Sequence, residues 1–161
     1  MDNKAYCENL GKLVGNLHSL EFALRAFLHK QNADEPQANH QDFRVGGLVP
    51  ENSFTNYDSL GGLIEKFNAV VELTFRVALD LVALRDMLAH GRIASKSEGL
   101  FPMELVKFGK PKNKMVSVEA VAIMDAEWFK TKINLVYQQI LKVVKASQSR
   151  GWNEIGEPAS M

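Results

Sequence analysis

Residues 70–91 read VVELTFRVALDLVALRDMLAHG, and how this stretch folds decides the architecture of the chain. Val70, Leu73, Val77, Leu81, Leu84 and Leu88 recur at three- and four-residue spacing, which traces one helical face. Val71, Phe75, Ala78 and Val82 widen the apolar arc well past a single stripe. The spacing predicts one helix from a break near Asn68 to about His90. Such a helix is either the buried centre of the fold or shared between its own core and a second subunit.

Upstream, Leu10, Leu13, Val14, Leu17, Leu20, Leu24 and Leu28 place a long helix over about Lys4 to Gln31. Glu21 falls inside that apolar stripe and needs a partner: Arg25, one turn on, or Arg85 across the core. Periodicity vanishes from Asn32 to about Tyr57, where Pro36, Gly46, Gly47 and Pro50 mark a long loop, functional or mobile. A short helix follows to about Phe67, with Asp58 as its N-cap and Leu60, Leu63, Ile64 and Phe67 inward. Met103–Phe108 and Met115–Ile123 alternate around the turn-forming residues 109–114, which predicts a β-hairpin within 101–124. Asp125 then caps a final helix to about Ser147, and residues 150–161 read as a flexible tail. The expected fold is mainly α: an up-and-down bundle of four to five helices, with a β-hairpin inserted before the last, in one domain spanning residues 1–161.

Composition narrows the function. The 161 residues are 46% hydrophobic and carry nineteen Lys and Arg against nineteen Asp and Glu, so any nucleic-acid binding must come from a local patch. Cys7 is the single cysteine, which excludes an intrachain disulfide and a cysteine-based zinc site. His18, His29 and His40 show no metal-ligand spacing, and there is neither a glycine-rich phosphate loop nor a nucleophile elbow. No metal and no cofactor is expected. No apolar run reaches membrane-spanning length and the N-terminus lacks a signal-peptide core, so a cytoplasmic protein without membrane contact is expected.

The end of the central helix carries the chemistry. In Arg85-Asp86-Met87-Leu88-Ala89-His90-Gly91-Arg92, histidine can move a proton near neutral pH and arginine holds phosphate well. A plainer account competes: His90 in the last turn favours the helix dipole, and Gly91 takes a left-handed C′ position. Asp86 and His90, four apart, would then be a surface pair. Arg85 fits that account less well, because it lies inside the wide apolar arc, where a guanidinium needs a partner, a cleft or an interface. Five residues also set Arg85 and His90 roughly 140° apart on a straight helix. They converge only if the helix loosens at Gly91, if Arg85 wraps around it, or if two copies pool their residues.

The segment resembles the R-x(4–6)-H signature, with a polar residue after the arginine, of HEPN (higher eukaryotes and prokaryotes nucleotide-binding) domains. The surrounding order of helices is similar too. The resemblance implies metal-independent RNA cleavage by a homodimer in a toxin–antitoxin or defence setting. It makes Arg85 the holder of the scissile phosphate, His90 the general acid or base, and Asp86 the residue that orients the imidazole. Other members only bind nucleotides, RNA or partners, so a non-catalytic binding dimer is the alternative. Some members are silenced at a tyrosine two residues past the histidine. Arg92 stands there instead, which argues against that route and offers a phosphate contact or a merely solvated charge, while the resemblance still implies an antitoxin or nucleotidyltransferase as a possible partner. Lys107, Lys110, Lys112 and Lys114 form a basic run on the hairpin, either tracking RNA phosphates or keeping the strands soluble.

Overall fold

A computed structural model describes residues 1–95 and 101–152. In chain order it contains α1 (Asn3–Gln31), α2 (Leu60–Val70), α3 (Leu81–His90), β1 (Arg92–Ser95), β2 (Met103–Phe108), β3 (Val118–Met124) and α4 (Ala126–Ser149), with short 3-10 turns at His40–Asp42 and Leu73–Phe75. The chain is mainly helical, and its sheet enters before the last helix, as expected. Among the described residues, no helix is long and apolar enough to cross a membrane.

The expected helix over residues 68–90 is two helices. The chain turns extended at Val71 (φ −115°, ψ 160°), makes one 3-10 turn, and resumes as α3 only at Leu81. Side chains supply what the helical ladder would have supplied. The Asn68 amide both donates to the Val77 carbonyl and accepts from the Val77 N–H, each at 2.8 Å. Gln139 Oε1 accepts from the Ala78 N–H at 3.2 Å, and Lys142 Nζ donates to the Arg76 carbonyl at 2.9 Å. Consecutive β-branched Val70 and Val71 weaken helix propensity at the same point. Val77 stays buried, but Val70 and Leu73 of the anticipated face are exposed.

The residues pack as two compact units. One comprises Met1–Leu17 and Asp80–Tyr137, and so holds the start of α1, α3, the sheet and the first half of α4. Its core is Tyr6, Leu13, Leu81, Leu105, Met124, Phe129 and Val136. The Tyr6 ring meets Phe129 edge-on at 5.7 Å. The sheet is antiparallel in the order β1-β2-β3, with Ile93 opposite Leu105 and Leu105 opposite Ala122. The anticipated hairpin is therefore the β2–β3 part of a three-stranded sheet. The missed strand, β1, follows α3 after a single residue, too short an apolar run to read as a strand. At the β2–β3 tip, Lys112 and Met115 exchange backbone hydrogen bonds around Asn113 (φ 52°) and Lys114 (φ 62°). Positive φ at both central residues gives the twist a two-residue hairpin needs.

The other unit comprises His18–Leu79 and the chain from Gln138. Leu24, Phe27, Leu63, Ile64, Phe67 and Val143 fill its core, with Phe27 edge-on to Phe67 at 4.7 Å. Ser59 caps α2, accepting from the Gly62 N–H at 3.2 Å, one position later than the Asp58 cap expected. Asp58 instead binds Lys66 at 2.6 Å. Glu21 finds Arg25, as its spacing implied, and Arg25 then reaches the backbone carbonyls of Asn56 and Asp58.

The long segment after α1 is held by side chains rather than by apolar periodicity. Glu35 accepts from the Ser53 N–H and Oγ, both at 2.7 Å, and from Asn32 Nδ2 at 3.0 Å. Burial alone raises its pKa, but those bonds and the one to His29 outweigh it and hold the carboxyl at about 2. The presumed tail also begins docked: Arg150 donates to Gln31 and to the Val70 carbonyl, and Trp152 packs on Phe27 at 5.2 Å. Residues 153–161 of that tail lie outside the described residues.

Two stability predictions result. Asn68→Leu strands two backbone groups of buried Val77, and urea unfolding is expected to show a loss of about 2–4 kcal/mol. Glu35 has a folded pKa depressed from 4.5 to about 2, so its contribution is complete above pH 4.5 and fades as pH falls toward 2. Glu35→Gln is expected to destabilise at pH 7 and to converge on wild type in acid, as read by thermal unfolding across that range.

Candidate functional site

α3 is ten residues long and buries only Leu81 and Leu84. Its last turn sits against β2, where Gly91 closes the contact. Gly91 is extended (φ −69°, ψ 161°), not left-handed as a C′ glycine was expected to be. A Cβ there would stand 2.3 Å from the Met87 carbonyl oxygen and 2.7 Å from Leu105 Cδ1. Glycine is needed for close approach, not for handedness.

Asp86 is the hub. Its carboxylate meets Lys107 Nζ of β2 at 2.6 Å and His90 Nε2 at 3.6 Å. The hydrogen bond from Lys107 is the main force lowering the Asp86 pKa, against partial desolvation, with lesser help from the charges of Lys107, His90 and Arg85. The same bond raises the Lys107 pKa. Lys107 also lies 3.6 Å from Glu119 of β3. Of the four hairpin lysines it is thus matched by carboxylates, while Lys110, Lys112 and Lys114 are exposed.

His90 is 65% exposed at the mouth of an open cleft of about 440 Å³. Arg92, Phe108, Gly109, Pro111 and Val116 line the rest. The β2–β3 register slips between Lys107 and Phe108, which leaves Glu119 of β3 without an opposite residue and interrupts the ladder beside Phe108. The cleft combines a titratable imidazole, a guanidinium and an apolar wall, a combination suited to a phosphate with an attached ring system.

Arg85 does not line this cleft. It is exposed, because the arc that enclosed it on paper belongs largely to the broken segment before Leu81. α3 remains a regular helix through His90, so the separation of roughly 140° between the two residues holds within one chain. The structure thus brings Asp86, His90, Arg92 and Lys107 together and leaves Arg85 on another side of α3. Phe108, Pro111 and Val116 had been read only as hairpin residues. An aromatic directly before Gly109 was the one sequence signal of the cleft.

A second cavity, of about 500 Å³, lies among residues of α1, α2 and the loop between them, including Asn32, Glu35, Asn52 and Ser53. These four are spent on bonds to one another or to nearby backbone, such as Asn52 Nδ2 to the Pro36 carbonyl at 2.8 Å. Among the described residues, no group of three or more His, Cys, Asp or Glu side chains is placed to hold a metal ion.

The Asp86–Lys107 pair gives a pH signature. Asp86 is depressed from 3.8, so the pair stabilises above that value and is lost as pH falls through the lower folded pKa. Lys107 is raised from 10.5, so the pair is also lost as pH climbs through the raised lysine pKa. Lys107→Met is expected to lower stability at neutral pH and to match wild type at both extremes. Gly91→Ala, forced against backbone and Leu105, is expected to cost about 1–3 kcal/mol in chemical denaturation.

No family model, curated protein or solved structure matches the chain.

Proposed function

We propose that the chain is a metal-independent endoribonuclease of the HEPN type, a single-domain, up-and-down helical protein acting as a cytoplasmic homodimer in a toxin or defence role. The observation that carries this reading is the exposed His90 at the mouth of a cleft shared with Arg92, with the Asp86 carboxylate 3.6 Å from its Nε2. An imidazole so placed can take the proton from a ribose 2′-hydroxyl as that oxygen attacks the adjacent phosphorus. The phosphorus–O5′ bond then breaks, and the imidazolium so formed gives its proton to the departing 5′-oxygen. The products are a 2′,3′-cyclic phosphate and a free 5′-hydroxyl. Arginine donors stabilise the charge that develops on the phosphoryl oxygens.

The separation of Arg85 from His90 supports a dimeric site. Two α3 helices side by side can present the arginine of one and the histidine of the other to one phosphate, which neither chain does alone. One observation favours the non-catalytic alternative: Asp86 lies closer to Lys107 (2.6 Å) than to His90 (3.6 Å). In that reading the motif ties α3 to the sheet and serves a binding dimer.

The test is cleavage of end-labelled RNA in excess chelator. Wild type is expected to cut, and His90→Ala and Arg85→Ala each to fall about a hundredfold or more while keeping their far-ultraviolet dichroism. Mixing the two variants is expected to restore about a quarter of wild-type activity, because half of the random dimers are mixed and each mixed dimer keeps one intact composite site. Full cleavage by both single variants would sink the assignment. Inactivity of every mixture would sink the shared site.

A further inference from the structure

We propose that the cleft beside His90 receives an unpaired RNA base stacked on Phe108, with the adjoining phosphates led along Lys110, Lys112 and Lys114 of the β2–β3 turn. The inference rests on reading the His90 site as an RNA site and adds what that site selects. Phe108 is 40% exposed at the end of β2, and Pro111 and Val116 join it in the same cleft as His90 and Arg92. A partly open aromatic beside a guanidinium and an imidazole matches a nucleotide, whose ring is apolar on its faces and whose phosphate is anionic.

Charge favours the same occupant. The chain is neutral overall, yet Arg92, Lys110, Lys112 and Lys114 gather at this end of the sheet, beside His90. The carboxylates nearby, Asp86 and Glu119, both face Lys107, at 2.6 Å and 3.6 Å, so that lysine offsets part of their charge toward the cleft. The turn that carries Lys112 and Lys114 is closed by paired hydrogen bonds of 2.8 and 3.0 Å between Lys112 and Met115, which fix the backbone from which both side chains extend. Lys114 occupies a left-handed position (φ 62°) that glycine would fill with less strain.

Concavity then selects the strand state. A base can enter a cleft of about 440 Å³ only if it has left its stack, and bases inside an A-form duplex have not. An acidic peptide would satisfy the cations but gain nothing from the Phe108 face.

The experiment is fluorescence anisotropy with a short unstructured RNA made uncleavable by 2′-O-methylation, so that the wild-type protein can be used throughout. Companion probes are the same RNA annealed to its complement, versions carrying one abasic nucleotide, and a poly-glutamate peptide. Phe108→Leu, an apolar change at an exposed site, is expected to weaken single-strand binding about tenfold. Duplex is expected to bind more weakly than single strand. An abasic nucleotide at one position is expected to weaken binding to wild type but not to Phe108→Leu. Unchanged affinity in Phe108→Leu, equal affinity for duplex, or equal affinity for poly-glutamate would overturn the proposal. Cleavage is scored separately on unmodified RNA. His90-dependent cleavage with unchanged Phe108→Leu binding defeats only the base site, whereas Phe108-dependent binding without cleavage defeats only the ribonuclease reading.

Discussion

The architecture turns on one side-chain amide. Asn68 bonds both backbone groups of Val77, and a buried backbone that is satisfied this way has no need of a helical ladder. Gln139 and Lys142 complete the substitution at Ala78 and Arg76. Because the chain leaves the helix here, α3 begins afresh at Leu81 and runs only to His90. The wide apolar arc is then no longer one surface needing a partner on every side. It is a buried valine, several exposed apolar side chains and a short amphipathic helix.

A short helix needs anchoring, and α3 has two anchors. Leu81 and Leu84 supply the apolar one, and Asp86 on Lys107 the ionic one. Gly91 lets the helix end lie against Leu105 with nothing between. These constraints place His90 at the cleft mouth, and the one-residue link to β1 sets Arg92 next to it. The proposed chemistry therefore depends on sheet pairing as much as on the helix. Strand β2 supplies the counter-charge to Asp86, and its end, beside the register slip, supplies the aromatic wall.

Much of this was legible beforehand. The three- and four-residue spacings located α1, α2 and α4 to within a few residues, and the inward positions Leu24, Leu63, Phe67, Phe129 and Val136 are buried. Asp125 caps α4 through the Trp128 N–H at 2.7 Å, as its place before an apolar run implied. Asp86, His90 and Arg92 could be singled out because their chemistry is a property of residue type and local spacing. Phe108, Pro111 and Val116 could not, since the cleft joins the turn at one end of β2 to the end of α3, places some twenty residues apart in sequence.

By itself, then, the sequence determined where α1, α2 and α4 lie and much of the face each buries, that a hairpin precedes the last helix, and which side chains could move a proton or hold a phosphate. Those are local matters of periodicity, capping and residue chemistry. Only the tertiary structure decided that the central helix breaks, that Lys107 belongs to Asp86 rather than to the basic run, and that Gly91 serves contact rather than handedness. Each of these depends on which distant group satisfies a given backbone amide, carboxylate or surface, and helical or strand periodicity carries no information about partners far along the chain.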